Sequence, residues 1–234
     1  MQNRFTLVAA ALALASLSTA ASAQQNTLRF GFTHIQPNSS ATDATGPFLL
    51  GPPSGVSLAV QNQDTAFFSY ARSINDNMEV ELALGYPPTH DVTAKLNPAI
   101  VPAYIVSSFQ GQVIAKVRQI APTVFFNYKF GETQSTWRPF VGVGINYTRF
   151  DKRQSTATGN ALNGGPTDIS LSDSWGLALQ AGVSYRLSDR WSLNASVATA
   201  QVKTHLTATT AGAARSIDIR FRPTVLTLSA GYSF

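Results

Sequence analysis

The sequence predicts an all-β protein: an eight-stranded antiparallel up-and-down transmembrane barrel with short periplasmic turns and four long extracellular loops. Three observations lead there. Apolar residues alternate with small or polar ones at a period of two in run after run, the mark of strands with unlike faces. The connections between the runs alternate between short and long, as in barrels with one trimmed rim and one decorated rim. Beyond the N-terminal leader, no stretch holds the roughly eighteen consecutive apolar residues that a membrane-spanning helix needs.

The chain opens with that leader. Arg4 supplies a positive start, an apolar run follows, and Ala21, Ser22 and Ala23 form an A-x-A cleavage site. Residues 1–23 are therefore expected to be a cleaved signal peptide, and 24–234 a single barrel domain of about 211 residues.

Eight strand-like runs follow, at about 27–36, 57–71, 78–92, 113–130, 138–152, 169–187, 191–205 and 216–234. Polar turns at 73–77, 131–136 and 188–190 join three pairs of them. The longer connections, 37–56, 93–112, 153–168 and 203–215, are rich in Gly, Pro, Ser, Thr and Ala. Two hold apolar segments, FLLGPP at 48–53 and LNPAIVPAYIV at 96–106, which either cover the barrel mouth or pack on each other.

The faces decide which environment surrounds the strands. In the fifth run Val141, Val143, Ile145 and Tyr147 share one side, and Gly142, Gly144, Asn146 and Thr148 share the other. In the sixth, Trp175, Leu177, Leu179 and Val183 oppose Gly176, Ala178, Gln180 and Gly182. A soluble barrel with the apolar side inward would need an outer surface dense in charge. Only 12% of residues are charged, about half the usual share. The apolar side is therefore assigned to lipid and the small side to a narrow lumen. Closure of the sheet is required, because an open strand edge in hydrocarbon leaves backbone groups unpaired. A barrel with every edge paired is expected to be complete as a monomer.

Aromatic residues near the strand ends suit the two membrane interfaces, with Trp175, Tyr185, Trp191, Tyr232 and Phe234 as expected anchors. The chain ends on an aromatic, Phe234, which resembles the C-terminal signal read by the outer-membrane barrel assembly machinery. The net charge of +5 and pI of about 9.7 come without any Lys/Arg cluster. That dispersed charge fits membrane lipid and lipopolysaccharide headgroups better than nucleic acid. There is no cysteine, so neither disulfides nor thiol chemistry is available.

Several motifs in register carry a resemblance. They are RPFVGVGINYT at 138–148, NMEVEL at 77–82 with Pro87 and His90 following, and APT at 121–123 ahead of NYKF at 127–130. SDSWG at 172–176, QAGV at 180–183 and the closing SAGYSF at 229–234 complete the set. Together they resemble the OmpW family of outer-membrane proteins over nearly the whole mature chain, fading in the long loops. The resemblance implies an eight-stranded barrel in the outer membrane of a Gram-negative bacterium. It also implies a lumen of apolar character and passage of small hydrophobic molecules. At Ala83 the chain departs from relatives that carry a bulky aliphatic residue, so the lumen there is either wider or filled by a neighbour such as Phe125.

Candidate lumen-lining residues are Phe67, Ala83, Phe125, Gly142, Gly144, Asn146, Gly176 and Gln180. The glycines serve either tight curvature or a cavity for a slender ligand. Arg29, Glu79, Glu81, Lys129 and Arg186 fall on interior faces, where charge must be paired or wet. They form either a plug or a selectivity element. The three histidines, His34, His90 and His205, sit on separate elements near strand ends, with no ligand spacing. No metal, cofactor or catalytic activity is expected. A lipid-acting rim enzyme would need His90 and Asp91 to meet Ser107 or Ser108, which no spacing specifies. The competing non-catalytic expectation is an interaction barrel with a plugged lumen, whose loops act as a receptor or adhesin surface.

Overall fold

The computed structural model describes residues 25–47, 49 and 53–234; the expected signal peptide and most of the FLLGPP segment lie outside these. Eight antiparallel strands close into the barrel. They are β1 (Asn26–Gln36), β4 (Gln63–Ser73), β5 (Met78–Gly85), β8 (Thr123–Lys129), β9 (Trp137–Ser155), β11 (Ser174–Arg186), β12 (Trp191–Ala200) and β15 (Thr224–Ser233). Each neighbours the next, β9 pairs with β11, and β15 returns to β1, so the ring has no free edge. The first and last barrel strands are tied together: Asn26 N donates to Phe234 O at 3.1 Å, and Phe234 N donates to Asn26 O at 2.9 Å.

The two faces of each strand part as their alternation predicts. On β9, Val141, Val143 and Ile145 are 47–60% exposed on the outside, while Asn146 and Thr148 are buried inside. Leu177, Leu179, Leu226 and Leu228 likewise point outward. This exposed apolar band is stable only against lipid. Its ends carry the aromatic girdles. Tyr147 and Trp175 pack together at the outer end, with ring centroids 4.7 Å apart. At the periplasmic end Trp137 packs on Tyr185 at 4.6 Å, Trp191 on Tyr232 at 5.1 Å, and Tyr232 on Phe234 at 6.4 Å.

The long strands are interrupted, contrary to expectation. Six of the eight expected runs break at a common level, near the outer end of the apolar band: at 61–62, 86–88, 121–122, 172–173, 201 and 222–223. Pro88, Pro122 and Pro223 sit at three of these breaks, where the missing N–H ends the ladder. Only the first run and β9 continue unbroken. Above the breaks the chain builds two further sheets, from the outer parts of the expected runs together with residues expected to be loops, such as 39–41, 93–96, 206–210 and 213–215. One joins β3 (Val56–Val60), β6 (Thr89–Leu96), β7 (Val113–Ile120) and the upper part of β9. The other joins β10 (Thr167–Leu171), β13 (Val202–Thr210), β14 (Ala213–Phe221) and β2 (Ser39–Ala41).

The two upper sheets share a core of Leu58, Val92, Val117, Phe150, Leu171, Leu206 and Ile219. Helix α1 (Ala103–Phe109) caps a second cluster of Ala94, Leu96 and Val101. The apolar 96–106 segment packs on β6, and its Val101, Pro102 and Ile105 also border a cavity at the mouth. Helix α2 (Ala157–Asn163) starts on Thr156, whose hydroxyl accepts from Gly159 N at 3.0 Å, and ends on Gly164 in the left-handed conformation.

Candidate functional site

The lumen divides into a lower polar plug and an upper cavity. Arg29 on β1 reaches across β4 to both acidic residues of β5. Its Nη2 donates to Glu79 Oε1 at 2.8 Å, and its Nη1 lies 2.7 Å from Glu81 Oε1. Lys129 Nζ on β8 also contacts Glu79. Two cations meet two anions, so formal charge cancels inside the barrel.

Neutral groups complete the network. Ser69 Oγ donates to Glu81 at 2.6 Å, and Asn127 Nδ2 donates to Glu79 at 3.2 Å and Glu81 at 3.0 Å. Gln180 Nε2 on β11 reaches Glu81 at 3.0 Å and Asn127 Oδ1 at 2.6 Å. Glu79 is 1% exposed and Asn127 fully buried, so this layer admits little solvent. Removing one ion from such a layer strands its partner and costs about 3–5 kcal/mol.

Arg186, expected in this network, does not join it. It ends β11 at the periplasmic rim, where its Nη1 donates to Gln134 Oε1 at 2.6 Å in the neighbouring turn. The interior parity is right, but the residue lies beyond the plug along the strand. Ser69 and Asn127 were omitted from the expected set. For Asn127 a signal was available: its place two residues before Lys129, on the same interior face of β8.

The glycines expected to line a cavity instead make room for protein. A Cβ at Gly142 would lie 2.0 Å from Asn127 Oδ1, and one at Gly144 would lie 2.4 Å from Val124 O and 2.7 Å from the Phe125 ring. At Gly176 it would strike the Gln201 carbonyl at 1.7 Å. Neighbouring atoms leave no room for a side chain at these positions, and none of the three lines the cavity.

Phe67, Ala83, Phe125, Asn146 and Gln180 do line the upper cavity, which spans about 1100 Å³ with its open mouth included. Glu81 and Arg29 form its floor. Ala83 and Phe125 both line it.

One side of this cavity reaches the barrel wall. The ladder between β5 and β8 stops at Ala83↔Thr123 and resumes above, between β6 and β7, at Thr89↔Arg118. Between them run Tyr86, Pro87 and Pro88 on one side and Ala121 and Pro122 on the other. Leu84, Gly85, Pro88 and Ala121 border both the break and the cavity.

The histidines do not converge. His34 bonds Asp64 at 2.6 Å and His205 bonds Asp218 at 2.8 Å, both exposed. His90 is buried and bonds the Gln61 carbonyl. Ser107 and Ser108 donate to the Tyr104 carbonyl on α1. Among the described residues, no cluster of His, Asp and Glu is arranged to hold a metal.

Comparison with known proteins agrees with this architecture. The sequence profile of the OmpW family matches residues 24–234. Outer membrane protein W of Vibrio cholerae is 36% identical over 167 residues, covering 69% of this chain and 76% of that protein. The dibenzothiophene metabolism operon protein PahQ of Pseudomonas aeruginosa is 28% identical over 184 residues, covering 76% of this chain and 74% of its own length. The crystal structure of the outer membrane protein OprG from Pseudomonas aeruginosa superposes with a TM-score of 0.78 at 24% identity. That superposition covers 91% of this chain and 96% of OprG.

Proposed function

Because the chain belongs to the OmpW family of outer-membrane proteins, we propose that it lets small hydrophobic molecules cross the outer membrane, entering at the mouth and leaving sideways through the wall. The observation that carries this reading is a cavity closed below and broken at the side. A solute moving straight down meets Arg29, Glu79, Glu81 and Lys129, whose desolvated charges make poor neighbours for an apolar molecule. A solute moving sideways meets Leu84, Gly85, Pro88 and Ala121, with hydrocarbon beyond. Transfer from an apolar cavity into lipid tails needs no contact with water.

The name of one relative, PahQ, ties that protein to an operon for metabolism of a polycyclic aromatic, which supports an apolar cargo. The plug equally favours a second reading, in which nothing passes and the upper sheets serve as a receptor or adhesin surface. Vesicles with a lipopolysaccharide outer leaflet separate the two. Protein-containing vesicles should take up dibenzothiophene several-fold faster than protein-free ones. Equal rates would overturn the passage reading and leave the receptor reading.

A further inference from the structure

Between the lumen cavity and the mouth lies a smaller cavity of about 420 Å³. Leu58, Val92 and Leu206 border both it and a third cavity, at the mouth, lined also by Val101, Ile105 and Ile217, while Gln119 borders both it and the lumen cavity. The three cavities thus adjoin one another from the mouth to the lumen. Its walls are apolar, with Val117, Phe150 and Leu206 among them, apart from two polar side chains, Gln119 and His90.

His90 is only 3% exposed. It is the second residue of β6, opposite Val117 on β7. Its Nδ1 lies 3.0 Å from the Gln61 carbonyl oxygen, which can only accept, so Nδ1 carries the proton. In the neutral ring Nε2 then presents a lone pair. That atom is buried without a hydrogen-bond partner. Gln119 stands near enough to act on the ring, yet completes no bond to Nε2. A buried acceptor left unpaired is costly, and a ligand that satisfies it recovers that cost.

We propose that His90 and Gln119 form a binding site for the hydroxyl group of a neutral amphiphile, an alcohol or phenol, whose apolar remainder occupies the cavities above or below. The ligand O–H donates to His90 Nε2, and its oxygen accepts from the Gln119 amide. A plain hydrocarbon satisfies neither group. A carboxylate meets the Nε2 lone pair with like polarity. The proposal rests on the passage reading for its route of entry, and sharpens it by naming the substrate class.

The test uses full-length protein in lipid nanodiscs with nitrogen-15-labelled histidine, titrated with decanol, decane or decanoate. His34 and His205, each bonded to an exposed carboxylate, serve as internal references. The Nε2 resonance of His90 should move with decanol and stay still with decane and decanoate. In proteoliposomes decanol should be taken up about tenfold faster than decane, as for one buried hydrogen bond. His90→Phe should abolish that preference, and His90→Gln, which keeps an acceptor, should retain part of it. A still His90 resonance at saturating decanol, or equal movement with decane, overturns the site. Solute uptake with a still resonance fails this proposal alone. A moving resonance with no uptake fails the passage reading and keeps the site.

Discussion

At the scale of single residues, the lower lumen is an exercise in charge balance. Glu79 faces both Arg29 and Lys129, so Glu79→Gln leaves two buried cations to share Glu81. The variant should lose about 3–5 kcal/mol of stability. Heating in detergent, followed by the gel shift of folded against unfolded barrel, reads the loss. A wild-type melting profile would mean the network is solvated and weak. Gly142 supports the same layer from the opposite strand. Gly142→Val would push Asn127 off both glutamates and should cost about 1–3 kcal/mol by overpacking. His90 adds a pH dependence. Burial pushes its pKa below the ordinary value of about 6.5, opposed by the Gln61 and Gln119 contacts and by Asp91. The unfolded chain therefore takes up the proton first. Native stability should fall as pH drops below about 6.5, and His90→Gln should remove that part of the fall. Identical pH profiles for the two proteins would place the titration elsewhere.

At the scale of elements, proline marks where three of the barrel strands, β5, β8 and β15, stop at the outer level. The alternation in the sequence identifies the strands and their lipid faces, because every inward or outward choice is repeated along a run, as on β9 and β11. The breaks were less legible. A single proline within an alternating run reads as an edge or an end, and only the assembled sheet reveals that several breaks lie at one level. The upper sheets were hidden for the same reason. Residues 203–215 contain a hairpin of Thr- and Ala-rich strands whose composition resembles loop, and its pairing with β10 and β2 is non-local. Among the site residues, Arg29, Glu79, Glu81 and Lys129 were found by parity. Arg186 was misplaced because parity gives the face but not the height within the barrel. The break between β5 and β8 makes its own prediction. A Cβ at Gly85 meets nothing closer than 3.8 Å, so Gly85→Phe should fold and fill the gap beside Leu84. Uptake of dibenzothiophene should fall several-fold while the folded gel band persists. Undiminished uptake would show that solute does not leave there.

At the scale of the whole molecule, the protein is an outer-membrane barrel whose described extracellular residues, like its membrane part, are built mainly of paired strands. The upper sheets gather apolar side chains over an open mouth, the lumen narrows past His90, and the charged layer closes the periplasmic end. Ions need a continuous wet path, whereas apolar solutes need only successive dry contacts and a gap in the wall. The two kinds of solute should therefore behave differently in the same preparation. The most direct measurement follows ion conductance and dibenzothiophene delivery in one set of membranes containing the refolded protein. The account predicts delivery well above protein-free membranes with no steady single-channel current. A steady current that dibenzothiophene reduces would contradict it, because it would require one continuous path through the plug.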